Sequence, residues 1–499
     1  MVSPSGPAKT LSAPAKTLVA RHTAISPNGC RVRIAAGQIH PLKLYMTTLK
    51  NSPFKAYDVR GRVPEQLNEE RAFQIGQAYA RIVQPRGPVA IGHDMRLSSR
   101  PLAAALAQGL NKAGMDTRDI GLCGTEVVYH AASLDCMGGG IMVTASHNPA
   151  DYNGMKMVRE QAIPVSGDTG LKDMEALLAS GQWETSADRS GKHEETSVTD
   201  GYLSRMLSFV DIGKIKPATV VVNAGNGCAG PVFDQLAKHL PLEIVRLHHQ
   251  PDGHFPNGVP NPLLPENRRE TARAVVDTGA DLGIAWDGDF DRCFFFDHNG
   301  RFIEGYYLVG LFARQLLENS PGETIVLDPR LTWNTLAEVA SAGGVSVINK
   351  SGHAFIKERM RAENALYGGE MSAHHYFRDF SYCDSGMIPW LLLLERISQT
   401  GCSLAELVDE RIRAFPCSGE INFSVDNPQK VIRTILEHFE NDRPVVDETD
   451  GIGLDFESWR FNLRASNTEP VIRLNVETRA DTRLLEEKTE ALSRLIQQG

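Results

Sequence analysis

Short apolar runs recur from about residue 87 onward, and most of them end in a polar loop rich in Gly, Asp or Asn. The runs lie at 87–94, 139–146, 218–227, 280–289 and 323–329. Their continuous apolar character is typical of strands that are buried on both faces. A helical pattern spans 101–113, and we expect helices after the last three runs. Alternating strands and helices predict repeated α/β units with parallel layers, whose loops meet at the carboxyl ends of the strands.

The two ends of the chain have different patterns. Strand-like alternation at 419–425 and 459–477, with helical patterns at 429–441 and 482–498, predicts a smaller α+β domain at the C-terminus. Residues 1–50 are basic and rich in Ser, Pro and Ala, and they open with the tandem heptad SGPAKTL–SAPAKTL. We expect this segment to be an unstructured or artefactual extension rather than a working transit peptide.

Composition narrows the class of protein. The net charge is −9, yet the first 57 residues carry eight Lys or Arg and no acidic residue, so the remainder is strongly acidic and nucleic acid is not an expected partner. Eight scattered cysteines without a C-x-x-C pair are typical of reduced thiols. The longest apolar run, 387–395, is too short for a membrane span and predicts a core helix. We therefore expect a cytoplasmic protein that does not associate with membranes.

Three aspartates in the sequence DGDFDR follow the apolar run that ends at residue 286. Asp287, Asp289 and Asp291 are like charges at a spacing of two, which repel one another unless a cation holds them. Hard carboxylate oxygens suit Mg²⁺. An EF-hand is excluded because Arg292 and His298 stand where that loop needs Gly and Glu. A solvated acidic turn remains the alternative, but the pattern favours a metal site.

Ser146 lies where the run GGGIMVTASHNP passes from strand to loop. By itself this pattern is typical of a turn or a helix cap. A serine hydrolase is disfavoured because G-x-S-x-G is absent. In a third interpretation Ser146 accepts a phosphoryl group, whose oxygen would complete the ligands of the Mg²⁺, while His147 and Lys156 neutralise the developing charge.

Two other loops have side chains suited to a sugar phosphate. In GEMSAHHYF, Glu370 and Ser372 can contact two adjacent hydroxyls of a sugar, although a polar surface loop is the alternative. The neighbouring histidines lack an acidic partner at ligand spacing, so we expect no metal there. In RASNTEP, Arg464 and the small polar residues after it can form an anion cradle, with a plain turn as the alternative.

The serine, D-G-D-x-D-R, G-E-M-S and R-x-S-N-T-E-P loops, in this order, closely resemble those of the α-D-phosphohexomutase family, in particular bacterial phosphomannomutase/phosphoglucomutase. The resemblance covers about residues 53–499 and implies an α/β protein with four domains. Three are related α/β domains with mixed sheets, and a C-terminal α+β domain closes a central cleft. The implied boundaries are 51–197 for domain I, 198–299 for domain II, 300–414 for domain III and 415–499 for domain IV, after the extension at 1–50.

The resemblance also implies a role for each motif. The expected metal ligands are a phosphorylated Ser146 with Asp287, Asp289 and Asp291, and Arg292 is expected to stabilise the phosphate. Residues expected to line the transfer site are Ser146, His147, Lys156, Arg60 and His353, with Lys156 or His353 as general acid or base. Residues expected to contact the substrate are Tyr57, Arg330, Glu370, Ser372, Arg464, Ser466, Asn467 and Thr468.

The implied activity is the interconversion of mannose 6-phosphate with mannose 1-phosphate, and of glucose 6-phosphate with glucose 1-phosphate, for nucleotide-sugar biosynthesis. The resemblance implies Mg²⁺ as cofactor and glucose 1,6-bisphosphate as activator. The expected oligomeric state is a monomer or a weak dimer. Phosphoglucosamine mutase and a silent sugar-phosphate-binding protein are the alternatives. Two positions depart from the family pattern: Arg330 replaces a frequent lysine, and Ala373 replaces a frequent glycine in a loop that it would stiffen.

Overall fold

The computed structural model describes residues 52–185, 187–465 and 471–498, and its strands form four separate sheets. The predicted extension at 1–50 lies outside these residues. The α-helices that the structure describes are numbered in chain order: α1 Glu69–Val83, α2 Ser99–Lys112, α3 Thr125–Ala132, α4 Lys172–Ala179, α5 Thr199–Leu207, α6 Ala229–Ala237, α7 Arg269–Thr278, α8 Gly305–Asn319, α9 Trp333–Ser341, α10 His353–Glu363, α11 Ile388–Thr400, α12 Leu404–Ala414, α13 Pro428–Phe439 and α14 Thr482–Gln498.

The first sheet has six strands in the order β1-β5-β4-β2-β3-β6. Its strands are β1 Val59–Arg62, β2 Val89–His93, β3 Thr117–Leu122, β4 Gly139–Val143, β5 Tyr152–Arg159 and β6 His193–Glu195. Strands β4, β2, β3 and β6 are parallel, whereas β5 and β1 run antiparallel at one edge. The sheet is therefore mixed, as the family resemblance implies.

The second and third sheets repeat this plan with five strands each, in the orders β11-β10-β9-β7-β8 and β13-β12-β14-β15-β16. Their strands are β7 Ala218–Asn223, β8 Leu242–Leu247, β9 Leu282–Trp286, β10 Cys293–Asp297, β11 Phe302–Ile303, β12 Thr324–Leu327, β13 Val345–Ile348, β14 Tyr367–Gly369, β15 His375–Phe377 and β16 Cys383–Asp384. In each sheet a parallel core carries an antiparallel edge.

One predicted helix is wrong. The sequence pattern predicts a helix after the run at 280–289, but the chain instead continues into β10, whose five residues CFFFD are all buried. β10 pairs antiparallel with β9. Three consecutive phenylalanines favour a pleated, buried strand over a helix with one apolar face. The loop of three aspartates is therefore a hairpin connection.

The fourth sheet is antiparallel throughout, in the order β17-β21-β20-β19-β18. Its strands are β17 Cys417–Ser424, β18 Val445–Asp447, β19 Ile452–Asp455, β20 Trp459–Ala465 and β21 Val471–Thr478. Helices α13 and α14 pack on this sheet through apolar residues such as Val431 and Leu492, and the resulting core contains no residue from outside this segment among the residues described. This is the α+β domain that the alternation predicts.

The parts of the chain that form the four sheets are called the first segment (residues 52–197), the second (198–299), the third (300–414) and the fourth (415–498). Polar contacts join the fourth segment to the third. Glu477 on β21 is fully buried and accepts hydrogen bonds from Arg460 (2.7 Å), from the Thr332 amide (2.8 Å) and from the hydroxyl of Tyr306. By contrast, the main apolar cluster runs continuously through the first three segments. Within the described ranges, no helix has the length and apolarity that crossing a bilayer requires.

Candidate active site

Four loops carry most of the predicted site residues, and each joins two antiparallel neighbours in a sheet. The loops lie between β4 and β5, β9 and β10, β14 and β15, and β20 and β21. In the first three sheets the loop starts at the carboxyl end of a parallel strand, the edge where α/β folds place ligands. The antiparallel return strand holds both ends of each loop by hydrogen bonds.

The serine loop is held by a residue that the sequence analysis does not select. Arg96 is buried and donates hydrogen bonds to the carbonyls of Ser146 (2.9 Å), Asn148 (2.6 Å), Pro149 (2.7 Å) and Tyr152 (2.9 Å). Ser146 itself has a left-handed backbone, with φ of 49°, which is unusual for a residue other than glycine. Arg96 therefore stabilises a strained turn that presents the serine hydroxyl.

Ser146 meets the aspartate loop directly. Its Oγ donates to Oδ2 of Asp287 at 2.7 Å, although the two residues are 141 positions apart in sequence. The backbones also touch, because a Cβ placed on Gly288 would lie only 2.6 Å from the carbonyl oxygen of Ser146. The two loops therefore share one site.

The three aspartates are buried and partly neutralised. Asp287, Asp289 and Asp291 are at most 1% exposed. Lys156 on β5 donates to Asp289 at 2.7 Å and also contacts Asp291. Burial alone would lower the pKa of Lys156, but these carboxylates raise it well above its usual value. Burial, together with the charge of Asp289, raises the pKa of Asp291 to about 7.

The aspartate trio fits a divalent cation. One carboxylate oxygen of each can be placed within 4.8 Å of the others. Oδ1 of each aspartate is buried and has no hydrogen-bond partner among the residues that the structure describes, which is costly for an ionised carboxylate. Lys156 and Arg292 supply only two positive charges for the three aspartates. The donor set of hard oxygens and the remaining negative charge suit Mg²⁺.

Arg292 and His147 contact each other beside the Ser146 hydroxyl. Arg292 donates from Nε (2.9 Å) and Nη2 (2.6 Å) to Asp287, and Nη2 also contacts Nδ1 of His147. The same Nδ1 lies 2.9 Å from Ser146 Oγ. Burial and the neighbouring guanidinium lower the pKa of His147 to about 4. His147 is therefore a neutral hydrogen-bonding group at neutral pH.

A histidine–aspartate pair, His374 and Asp384, joins the site from the third segment. His374 Nδ1 lies 2.9 Å from Oδ2 of Asp384, and its backbone forms an isolated antiparallel bridge with Arg292. Lys357 Nζ lies 2.8 Å from the other oxygen of Asp384. Burial lowers the pKa of His374, but the carboxylates of Asp291 and Asp384 outweigh burial and raise it above the ordinary value.

His374 therefore has an acidic partner, contrary to the expectation from spacing. Asp291, His374 and Asp384 are also close enough to share an ion. However, both oxygens of Asp384 already have a partner, Lys357 Nζ at 2.8 Å and His374 Nδ1 at 2.9 Å. We therefore assign no metal to this second cluster.

Arg60 contacts the serine loop, and Tyr57 and His353 contact each other. Arg60 donates to Asn148 in the serine loop and to Asp58, both at 2.6 Å. The rings of Tyr57 and His353 are in edge contact, with centroids 4.9 Å apart. His353 is the first residue of α10, and neither ring nitrogen has a hydrogen-bond partner in the described part of the chain. Burial and the charge of Lys357 lower its pKa well below the usual value.

Glu370 and Ser372 meet at Arg330. Glu370 is 2% exposed and accepts from the Gly352 amide (2.8 Å) and from the hydroxyl of Tyr376 (2.6 Å). Arg330 Nη2 lies 3.6 Å from Glu370 and donates to Ser372 at 3.1 Å. Arg330 is itself held by Asp328, so it orders this loop.

Ala373, at a position where the family frequently has glycine, adopts a backbone conformation typical of glycine. Ala373 is buried with a left-handed φ of 70°, a conformation in which a glycine is unstrained. The loop therefore keeps the glycine-like turn even though it carries a Cβ.

In the last loop only Arg464 can be placed. Arg464 Nη1 donates to Oδ2 of Asp450 at 2.9 Å, and the same oxygen accepts from the amide of Ser351 at 3.1 Å. The other predicted phosphate contacts in this loop lie outside the described residues: Ser466, Asn467 and Thr468.

The comparisons cover almost all of the described chain. Models of the phosphoglucomutase/phosphomannomutase family match residues 51–184 (alpha/beta/alpha domain I), 200–300 (domain II), 304–415 (domain III) and 420–494 (the C-terminal domain).

Relatives match over the same length. A Xanthomonas campestris pv. campestris protein named "Phosphohexose mutases" is 59% identical over 443 residues, which are 89% of this chain and 98% of the relative. The "Phosphomannomutase" of Salmonella montevideo is 54% identical over 449 residues, with the same coverage. The crystal structure of a phosphoglucomutase/phosphomannomutase family protein from Burkholderia thailandensis superposes with a TM-score of 0.80 at 32% identity, covering 90% of this chain and 98% of that chain. The chain therefore belongs to the phosphoglucomutase/phosphomannomutase family, the α-D-phosphohexomutases, and is a mutase.

Proposed function

We propose that the enzyme interconverts the 6- and 1-phosphates of mannose and of glucose, and that Ser146 carries the phosphoryl group between the two positions. The observation that carries the proposal is the 2.7 Å contact of Ser146 Oγ with Asp287, inside a buried trio of aspartates. The names of the relatives at more than half identity support the substrate class.

The proposed reaction consists of two successive phosphoryl transfers. The bond between Ser146 Oγ and phosphorus breaks as the free hydroxyl oxygen of a hexose phosphate bonds to that phosphorus, giving a hexose 1,6-bisphosphate. The proton of the attacking hydroxyl passes to a base. After the bisphosphate reorients, its other phosphoryl group returns to Ser146 Oγ, and the sugar oxygen that it leaves takes a proton.

Charge neutralisation and alignment supply most of the catalysis in such a transfer. Mg²⁺ held by Asp287, Asp289, Asp291 and the phosphoserine would withdraw negative charge from the phosphoryl group. Arg292 and Lys156 add fixed positive charge at the same loops, and Arg60 fixes the serine loop through Asn148.

We propose His374 as the general acid and base. Its pKa is raised above the ordinary value, so it can hold and release a proton near neutral pH, and Asp384 fixes the orientation of the ring through Nδ1. Lys156 is less suited to this task because its two carboxylates keep it charged. His353 is kept neutral by burial, so it suits hydrogen bonding to the substrate.

Substrate recognition is assigned to the third and fourth segments, with Tyr57 from the first. Glu370 and Ser372 would contact adjacent sugar hydroxyls beside Arg330. Arg464, with Ser466, Asn467, Thr468 and Tyr57, would hold the phosphate that is not being transferred. Because all four segments contribute within one chain, a monomer is sufficient for catalysis.

The test is a coupled assay of mannose 1-phosphate and glucose 1-phosphate side by side, with and without glucose 1,6-bisphosphate. Ser146→Ala is expected to abolish both activities and to lack the phosphate that intact-mass analysis detects on the wild type. Ser190→Ala, at an exposed position, is the control and is expected to remain active. Full turnover by Ser146→Ala would overturn the proposal, and a higher kcat/KM for glucosamine phosphates would assign the enzyme to that substrate.

A further inference from the structure

A buried carboxylate outside the site described above connects three of the four segments. Glu126 is the second residue of α3 and is 0% exposed. Burying a carboxylate costs several kcal/mol unless hydrogen bonds satisfy it. Its Oε2 accepts from the amide of Gly386 at 2.6 Å, and its Oε1 accepts from the hydroxyl of Tyr202. The two donors lie 76 and 260 positions away, in the second and third segments.

Gly386, whose amide donates to Glu126, lies between the aspartate loop and Asp384. The carbonyl of Gly386 accepts from Nε1 of Trp286, the residue immediately before Asp287. A Cβ on Gly386 would lie 2.3 Å from the carbonyl of Phe290, so this peptide packs directly on the aspartate loop. Asp384, which holds His374, is only two residues earlier. A shift of residue 386 would therefore move Asp384 relative to the three aspartates.

The residue before Glu126 contacts the same loop from the other side. Thr125 donates its hydroxyl to Oδ2 of Asp289 at 2.5 Å and its amide to the carbonyl of Asp289 at 3.0 Å. The first two residues of α3 thus contact both the aspartate loop and the segment that carries Asp384. A short helix with its side chains fixed by packing is a suitable support for this alignment.

We propose that Glu126 is a positioning residue of the mutase. By holding the Gly386 amide, it keeps Asp384 and His374 aligned with Ser146 and the aspartate trio during phosphoryl transfer. The inference rests on the proposed roles of Ser146 and His374. What matters is the length of the side chain and an acceptor oxygen at Gly386, and a negative charge is not required.

Three variants test this proposal. Glu126→Asp withdraws the carboxylate by one methylene and is expected to lower kcat at least tenfold, while KM for mannose 1-phosphate stays within twofold, because its partners Gly386 and Tyr202 are not among the residues proposed to bind the substrate. Glu126→Gln restores the length and is expected to return kcat to within threefold of wild type. Tyr202→Phe removes only the other partner and is expected to leave kcat within threefold.

Melting temperatures and single-turnover discharge of the phosphoenzyme accompany the kinetics. A purely structural role would lower the melting temperature in Glu126→Asp and leave kcat unchanged, and that result would overturn the inference. Equal kcat losses in Glu126→Asp and Tyr202→Phe would overturn it as well. If Glu126→Asp does not fold, loss of activity in a folded Glu126→Gln would contradict the proposal, and retained activity would support it. Ser146→Ala, assayed in parallel, separates the outcomes, since its activity would refute the proposed function itself.

Discussion

Lys156 Nζ lies 2.7 Å from Oδ2 of Asp289 and also contacts Asp291, so one ammonium group bridges two of the three carboxylates. A divalent ion held by the three aspartates, as proposed above, would compete with this cation for the same negative charge. The position of Lys156 therefore links metal affinity to the charge of the transfer site.

Lys156→Met is expected to lower kcat by at least about 100-fold and to lower the Mg²⁺ concentration that gives half-maximal activity by about tenfold. The second effect follows because removal of a nearby positive charge strengthens the binding of a cation. Titration of activity with Mg²⁺ measures both quantities. Lys172→Met, which alters an exposed ion pair with Asp168, is the matched control and is expected to change neither. A weaker affinity for Mg²⁺ in Lys156→Met would contradict this account.

Removal of the metal is expected to stop catalysis without unfolding the protein. Lys156 and Arg292 compensate much of the negative charge of the trio, so chelation with EDTA should abolish activity while the melting temperature falls by only a few degrees. Added Mg²⁺ should restore the activity. A cooperative loss of structure on chelation would show that the ion holds the fold together.

Asp384→Asn is expected to lower kcat by about 100-fold, the usual contribution of an oriented general acid or base. The variant keeps the size of the side chain but loses the carboxylate that orients His374 and pairs with Lys357. Stopped assays at saturating substrate give kcat directly. Asp379→Asn, at an exposed position on the same segment, serves as the comparison. A wild-type kcat in Asp384→Asn would exclude the proposed pair.

Asp450→Asn is expected to raise KM about tenfold and to leave kcat nearly unchanged. The carboxylate fixes the guanidinium of Arg464 and also accepts from the Ser351 amide, and a charge-assisted hydrogen bond is worth about 1.5–3 kcal/mol. Initial rates over a range of hexose phosphate concentrations separate the two parameters. The matched variant Asp442→Asn lies at an exposed position of the same segment, and a similar effect there would make the Arg464 contact irrelevant.

The contribution of Glu126 to stability is expected to fall as the pH rises from about 4.5 to about 8. Burial raises the pKa of Glu126 to about 8, whereas the unfolded chain loses this proton near 4.5. Between these values the unfolded state binds fewer protons, so the free energy of unfolding decreases by up to about 1.4 kcal/mol per pH unit from this group. The difference in melting temperature between wild type and Glu126→Gln, measured from pH 5 to 8, should show this slope.

Much of the architecture can be predicted from the sequence because its strands are short, apolar and well separated. The strand runs and the C-terminal helices lie where their periodicity predicts. The Ser146 and Asp287 loops belong to different sheets, and their meeting is expected from a Mg²⁺ shared with a phosphoserine and from the family resemblance. The helix expected after residue 289 is wrong because the pattern of Gly and Asp resembles a loop before a helix, while the decisive signal is the apolar run at 293–297.

The sequence analysis does not identify the roles of Arg96 and His374, because both roles depend on tertiary contacts. Arg96 binds four carbonyls of a loop some fifty residues away, and the acidic partner of His374 is ten residues later, beyond any metal-ligand spacing. No local pattern marks either contact. The adjacent pair His374 and His375 is a signal for the role of His374. His375 faces the core beside Tyr367, so the side chain of His374 must point toward the opposite side.

The last segment has an interior of its own and joins the rest of the molecule through hydrogen-bonded polar groups such as Glu477. Loss of the hydrogen bonds from Tyr306 and Thr332 would consequently weaken the attachment of this segment to the rest of the chain while its own core stays packed, although Cys417 on its first strand also packs against the main apolar cluster.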